Sequence, residues 1–168
     1  MDPTRLWDDT RPATHAPLTE DAVAEAQRLL GVTLPADLLT LLRHRNGGIV
    51  ADAFAAFPTD RPTSWAPDHV PFDELFGIGH RDGSLSLLDT PYLVAEWDLP
   101  SPVVLLSGDG HWWIALDYRT GGPSAEPSVA WLDAEDGTDF TLAPDLRTFL
   151  ERLTAAQSFD IDIDIGID

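Results

Sequence analysis

The stretch that most constrains the fold is Leu29–Gly48, with the sequence LLGVTLPADLLTLLRHRNGG. Gly31 lies where the end of a helix needs a residue that tolerates positive φ. Pro35 lies where a helix begins, and the N–H that proline lacks would have no partner within the helix at that position. Four leucines then recur at helical spacing and define one apolar face, at positions 38, 39, 41 and 42. The pattern predicts two short helices in close succession. Neither is long enough to be stable alone, so the pair must pack against a larger structure.

Capping residues indicate where these two helices begin and end. Thr19 is suited to the N-cap of the first helix, and Leu18 and Val23 occupy the two positions of a hydrophobic staple. We predict that the first helix ends at Gly31 and that the second runs from about Pro35 to Arg45.

The clearest β signal is a pair of apolar segments around a turn. VVLL at 103–106 and HWWIALDY at 111–118 flank Ser-Gly-Asp-Gly, which has the composition of a hairpin turn. Alternation places two sets of side chains on opposite faces of the second strand: Trp112, Ile114 and Leu116 on one, and Trp113, Ala115 and Asp117 on the other. SVAWLD at 128–133 predicts a third strand. The centre of the chain is therefore predicted to form an antiparallel meander.

The remaining segments give weaker signals. Residues 49–65 and 70–78 predict short strands with loops, and we expect a short helix at Thr90–Trp97 with Pro91 at its N1 position. A short segment at Phe140–Leu142 precedes a closing helix, in which apolar residues fall at i, i+3, i+4 and i+7, at Leu146, Phe149, Leu150 and Leu153. Two N-terminal helices, a central antiparallel sheet and a C-terminal helix define a single α+β domain, which agrees with a length of 168 residues.

The charge balance narrows the choice of partners. Asp and Glu number 29 against 10 Lys and Arg, a formal net charge of −19. A surface this acidic repels phosphates, so we expect no direct binding to nucleic acid or membrane. It suits a basic protein partner, although general solubility alone also explains it. The chain has no cysteine, no recognisable secretion signal and no apolar run near the ~20 residues that cross a bilayer, so we expect a cytoplasmic protein without disulfides.

Four segments resemble, in their order and spacing, the SUKH superfamily, the SMI/KNR-type domain: LGVTLPADLLTLLRHRNGG (30–48), VPFDELFGIGH (70–80), VVLLSGDGHWWIALDYR (103–119) and PSVAWLD (127–133). PDLRTFLERL at 144–153 is similar to the closing helix of that family. The resemblance implies a domain over residues 18–157. An irregular arm with three prolines precedes it at 1–17, and an acidic Asp/Ile tail follows it at 158–168.

The same resemblance implies a protein-binding domain rather than an enzyme, with no cofactor. Many bacterial members look like immunity proteins, which neutralise toxins delivered between competing cells by binding the toxin domain. Eukaryotic relatives act through interactions in cell-wall control. We therefore expect an immunity protein whose partner is a basic toxin domain, with nucleases as an attractive class. A regulatory or scaffold protein without a toxin partner is the alternative, because the fold alone names neither the partner nor the oligomeric state.

Candidate partner-binding residues lie around the predicted hairpin and in one proline-rich loop: Trp65, Asp109, His111, Trp112, Trp113 and Asp117. An exposed tryptophan is a good interface anchor, and adjacent tryptophans in a strand point to opposite faces. Four of these residues also have a structural explanation. Both strand tryptophans are buried if both faces of the sheet are covered, Trp65 packs against its loop, and Asp109 is a turn residue that tolerates left-handed φ.

No catalytic or metal site is indicated by the sequence. The five histidines form no H-E-x-x-H or comparable pair, and no G-x-S-x-G element is present. Gly77-x-Gly79 lacks the third glycine and the helix of a dinucleotide loop. A small-molecule-binding or hydrolytic domain is a third hypothesis, and it requires a concave pocket with convergent polar groups.

In the tail, aspartate and isoleucine alternate from Asp160 to Ile165, which places them on opposite faces if a strand forms. The spacing does not fit a calcium loop, which needs glycine at its sixth position and glutamate at its twelfth. Two interpretations remain, an amphipathic edge strand and a frayed acidic end. The β propensity of isoleucine favours the strand.

Overall fold

The N-terminal helices form as their capping residues predict. A computed structural model describes residues 1–160, in which α1 spans Glu20–Leu30 and α2 spans Ala36–His44. The Thr19 hydroxyl accepts a hydrogen bond from the Ala22 N–H at 3.1 Å, and Gly31 ends α1 with φ of 69°. Pro35 is the N-cap of α2 rather than its first helical residue. The predicted tail strand lies outside the described residues.

Four short strands and a third helix connect the helices to the main sheet. β1 (Gly48–Ile49) pairs with β4 (Glu74–Leu75), and β2 (Ala56–Pro58) pairs with β3 (His69–Pro71), both antiparallel. α3 spans Thr90–Trp97, as predicted, with Pro91 in its first turn.

The main sheet is a four-stranded antiparallel meander in the order β5-β6-β7-β8. Its strands are β5 (Val103–Gly108), β6 (Trp112–Asp117), β7 (Ser128–Asp133) and β8 (Thr138–Ala143). β8 is longer than the segment predicted at Phe140–Leu142. Its first half is solvent-exposed, so the apolar pattern that marks a strand is present only in its second half.

Both faces of this sheet are covered. α4 (Leu146–Arg152) and the β2–β3 hairpin pack on the face of Trp112 and Trp131, where the rings of Phe57 and Phe149 stack at 4.8 Å. The C-terminal end of α3 lies over the opposite face, beside Leu132. Consequently Trp112 and Trp113 are both buried, at 7% and 1% exposure. The alternation in β6 was predicted correctly, but neither tryptophan projects into solvent.

The N-terminal arm is irregular, but it is firmly attached. Leu6 and Trp7 are buried, and the Asp8 N–H donates to the Ile49 carbonyl at 2.9 Å. The Arg45 guanidinium, at the end of α2, donates to the carbonyls of Asp8 and Arg11, both at 2.9 Å, and lies 5.9 Å from the Trp7 ring. Trp7 therefore anchors the arm to the core. Within residues 1–160, no helix has the length and apolar character that crossing a membrane requires.

Candidate functional site

The β5–β6 turn and the β7–β8 turn meet at one end of the main sheet. The Ala134 N–H, after β7, donates to the carbonyl of His111, before β6, at 2.8 Å. Around these turns lies a group of exposed aromatic, histidine and acidic side chains, which we call the turn-end surface: Trp65, Trp97, Asp109, His111 and Glu135. The strands of the main sheet lie directly beneath these turns and position the side chains of this surface.

Trp65 is the most exposed tryptophan of the chain, at 50%. Its ring meets Trp112 edge to face, with centroids 6.0 Å apart, and Trp112 stacks on Trp131 at 5.1 Å and an interplanar angle of 12°. The inner two rings are buried in the core. The three tryptophans form a ladder that leads from the core to the surface, and this packing limits the freedom of the Trp65 side chain before any partner arrives.

A buried carboxylate holds the Trp65 loop against the sheet. The Ser64 hydroxyl donates a hydrogen bond to Asp133 Oδ2, at the end of β7. The other oxygen, Oδ1, accepts from the N–H groups of Glu135 and Asp136, at 3.1 and 3.4 Å. Asp133 therefore shapes the β7–β8 turn and positions the loop that carries Trp65.

Trp97 borders the turns on the opposite face of the sheet. It is the last residue of α3, which ends at Asp98 in a left-handed conformation with φ of 52°, and it is 41% exposed. Its ring lies 6.2 Å from the His111 ring. A Cβ atom on Gly110, where φ is 105°, would lie 3.3 Å from the Trp97 ring. Gly110 therefore allows both the backbone turn and the close approach of this indole.

The acidic groups of the turn-end surface belong to the same turns. Asp109 Oδ1 accepts from the His111 N–H at 3.0 Å, and His111 Nδ1 lies 3.4 Å from Glu135 Oε1. Burial of its carboxyl raises the pKa of Asp73, although the residue as a whole is exposed, and the nearby charge of Asp109 raises that pKa further. Negative charge is therefore concentrated here, and a cation placed beside it is favoured.

Of the six predicted site residues, four lie at the turn end of the sheet, Trp113 lies in the core, and Asp117 lies at the far end of β6. Trp65, Asp109 and His111 lie together on the turn-end surface, and Trp112 supports them from below. Trp113 is in the core, where its ring meets Phe76 at 6.4 Å. Asp109 closes its turn through a side-chain hydrogen bond, while positive φ falls on the two neighbouring glycines rather than on Asp109.

Asp117 lies at the far end of β6, where its carboxylate accepts hydrogen bonds from within the chain. The Arg119 guanidinium donates to Asp117 Oδ2 at 2.9 Å and to Asp139 Oδ1, in β8, at 2.7 Å. Burial acts to raise the pKa of Asp117, but the hydrogen bonds and the positive charge of Arg119 outweigh it, so the pKa lies below its ordinary value. One guanidinium thus bridges two carboxylates, and Asp117 already has an ion-pair partner within the chain.

Sequence reasoning missed two members of the turn-end surface, Trp97 and Glu135. Trp97 fits the apolar face of a short helix, and only its place directly before an Asp-Leu-Pro loop marks it as a helix end. Glu135 lies in an acidic turn whose position beside the first hairpin depends on the pairing of β6 with β7.

One hollow that borders the arm is lined by side chains with structural roles. It has a volume of about 590 Å³ and is lined by His15, Asn46 and Arg81, among others. The Asn46 amide is used on backbone groups, since it donates to Ala16 and Ile78 carbonyls, both at 2.8 Å, and accepts from the Ile78 N–H at 2.8 Å. Among residues 1–160, no three His, Asp or Glu side chains are grouped so that they could hold a metal ion.

Comparison with protein families gives one match. The family model described as the SMI1 / KNR4 family (SUKH-1) matches residues 17–152, which are most of the 168 residues. No curated protein and no solved structure shows significant similarity to the chain. The match confirms the resemblance read from the helix pair, the hairpin and the closing helix. This chain belongs to the SMI1 / KNR4 family (SUKH-1).

Proposed function

We propose that this chain is a non-enzymatic protein-binding domain that acts as an immunity protein, and that its turn-end surface contacts a basic toxin domain. Family membership agrees with a role of this type. The observation that carries the proposal is the pair of exposed tryptophans, Trp65 and Trp97, on either side of a turn with acidic side chains.

The tryptophans supply the affinity in this mechanism. Interface energy is concentrated in a few anchors, and tryptophan is enriched among them because it buries a large apolar area. The ladder beneath Trp65 and the contact of Trp97 with the β5–β6 turn hold both indoles in place. Less side-chain entropy is then lost on binding than with freely rotating residues.

The negative charges increase the association rate and favour a basic partner. A net charge of −19 attracts a basic protein over a distance set by the ionic strength, about 10 Å at 0.1 M salt. Asp109 and Glu135 place carboxylates beside the anchors, where a lysine or arginine of the partner forms charge-assisted hydrogen bonds. Nuclease toxins fit this surface because the faces with which they bind nucleic acid are basic.

The experiment begins with capture of the partner from the native host at low salt by the tagged full-length chain. Variants Trp65→Ala and Trp97→Ala are then compared with Leu29→Ala, a matched control at an exposed apolar residue of α1. We expect each tryptophan variant to weaken binding ~30-fold or more, as a hot spot does, and the control to bind as the wild type does.

Two further results decide between the hypotheses. The association rate should fall steeply as salt rises, and co-expression of the chain should protect cells from the captured toxin domain. Equal binding by all three variants, or a rate indifferent to salt, would contradict the proposed surface. Capture of housekeeping or envelope proteins without any toxin domain would favour the regulatory scaffold.

A further inference from the structure

The two outer edges of the main sheet differ. Along β5, the Phe76 N–H donates to the Leu106 carbonyl at 2.8 Å, and the Leu105 N–H donates to the Thr90 hydroxyl at 3.0 Å. Along β8, the pairing within residues 1–160 is with β7 alone, and the one further backbone bond is from the Thr138 N–H to Asp136. The outward N–H and C=O groups of β8 can therefore accept another strand.

A groove with two arginines borders β8 on one face of the sheet. It has a volume of about 200 Å³, and Arg61, Arg152 and Phe140 line it together with Asp60 and residues of β2. The Arg61 guanidinium lies 4.4 Å from the Phe140 ring, and that of Arg152 lies 5.0 Å from the Phe57 ring. These aromatic contacts fix the two cations beside the strand edge.

Few carboxylates in the described part of the chain compete for these arginines. Arg61 has Asp60 at 3.8 Å, and the Asp60 side chain is 94% exposed. For Arg152, no carboxylate of residues 1–160 lies within 4.0 Å. Arg5, Arg11 and Arg81 also form no ion pair within 4.0 Å among residues 1–160. What distinguishes this groove is therefore that two weakly paired guanidinium groups line it together.

A second groove borders β8 on the opposite face. It has a volume of about 260 Å³, and its lining combines the apolar residues Trp97, Leu99, Pro100 and Leu132 with Asp98, Asp133 and Asp139. Arg119 bonds to Asp139 at 2.7 Å but shares its single positive charge with Asp117. This groove therefore disfavours acidic side chains and is suited to uncharged ones.

We propose that β8 accepts an extended segment of a partner protein as a fifth strand, and that acidic and uncharged residues alternate in this segment. Side chains of a strand point alternately to the two faces of a sheet, so every second residue of the segment reaches the Arg61–Arg152 groove and the others reach the Leu99–Leu132 groove. Backbone pairing supplies affinity, and the two grooves supply the selection of sequence. This surface goes beyond the proposed function, because it recognises acidic residues whereas the turn-end surface recognises basic ones.

The experiment uses the full-length chain and two synthetic peptides with blocked ends. One has three repeats of valine-glutamate and the other three repeats of valine-lysine. We expect the glutamate peptide to shift amide NMR signals of β8 and to bind at least tenfold more tightly than the lysine peptide. The double variant Arg61→Glu with Arg152→Glu should reverse this preference. Arg147→Glu, in the same helix as Arg152 but paired with Asp37, is the matched control and should leave the preference unchanged.

Several results would overturn the proposal. They are equal binding of the two peptides, no binding of the glutamate peptide at millimolar concentration to a folded protein, and amide shifts confined to other strands. Sedimentation that shows a dimer whose formation blocks the peptide would assign the edge to a second copy of this chain. A tenfold gain in peptide binding after removal of residues 161–168 would assign it to the chain's own terminus.

Discussion

The two ends of strand β6 carry similar residues in different environments. At the turn end, Asp109, His111 and the nearby Trp65 and Trp97 are exposed. At the far end, Asp117 is bonded to Arg119, and the buried Tyr118 donates its hydroxyl to the Thr33 carbonyl at 2.8 Å. Whether an acidic or aromatic side chain is bonded within the chain or left exposed therefore depends on whether the fold brings another residue of the chain to it.

The largest expected effect comes from a comparison of two tryptophans at the turn end of the sheet, one in the core and one on the turn-end surface. Trp113→Ala should lower the free energy of unfolding by about 3–5 kcal/mol, because it opens a cavity in the core. Trp65→Ala, at a half-exposed ring, should cost no more than about 1 kcal/mol and act on partner binding instead. Urea unfolding of both variants tests this, and similar losses for both would remove the distinction between core and surface.

The next effect concerns the far end of β6. Arg119→Ala leaves the largely buried Asp117 carboxylate without its partner and should cost about 2 kcal/mol at neutral pH. Because the folded-state pKa of Asp117 is lowered, its contribution is present above the ordinary aspartate pKa of about 3.9 and is lost as the pH falls through the lower folded-state value. The difference between wild type and variant should therefore shrink on acidification below about pH 4. A difference independent of pH would contradict this assignment.

A smaller effect is expected at the tether of the Trp65 loop. Ser64→Ala removes the donor to Asp133 and should cost about 1 kcal/mol of stability. Partner binding should weaken as well, because Trp65 loses part of its positioning. Thr59→Ala, which removes a hydroxyl that bonds within the same loop, is the control and should leave partner binding close to the wild-type value. Titration calorimetry with the captured partner measures both.

The smallest effect is expected for Glu135→Gln. Its carboxylate is half exposed and lies 3.4 Å from His111, so the change in stability should stay below about 0.5 kcal/mol. The association rate at low salt should fall about two- to threefold, since one charge beside the anchors is removed. Stopped-flow measurements at low and high salt test this, and a loss that persists at high salt would argue against a purely electrostatic role.

The sequence predicted the elements whose signals are local. Thr19, Gly31 and the leucines of α2 define the helix pair, and the Ser-Gly-Asp-Gly turn defines the central hairpin, because capping and turn formation depend on neighbouring residues. β8 was predicted only in part, since half of it faces solvent. The short strands β1 to β4 pair over long separations with few residues each, and such pairs leave little pattern in the sequence.

The candidate site could be predicted at the central hairpin and at Trp65, which lies in a proline-rich loop, but not elsewhere. Asp109 and His111 follow from the turn itself, whereas the exposure of Trp97 depends on how α3 ends over the sheet. Whether Trp112 and Trp113 are buried depends on what covers each face of the sheet, and alternation alone does not determine this. Asp117 has the same local pattern as a surface acid, and its pairing with Arg119 and Asp139 depends on strand register.

The distribution of the six tryptophans makes the protein its own optical reporter. Four indoles are buried and two, Trp65 and Trp97, face solvent on the turn-end surface. Indole fluorescence shifts to shorter wavelength when water is removed from the ring, so a partner that covers this surface changes the emission of two fluorophores against a constant background of four. Trp65, Trp112 and Trp131 are also close enough for their electronic transitions to couple. Near-ultraviolet circular dichroism therefore records the geometry of the ladder, and a label is not needed to follow it.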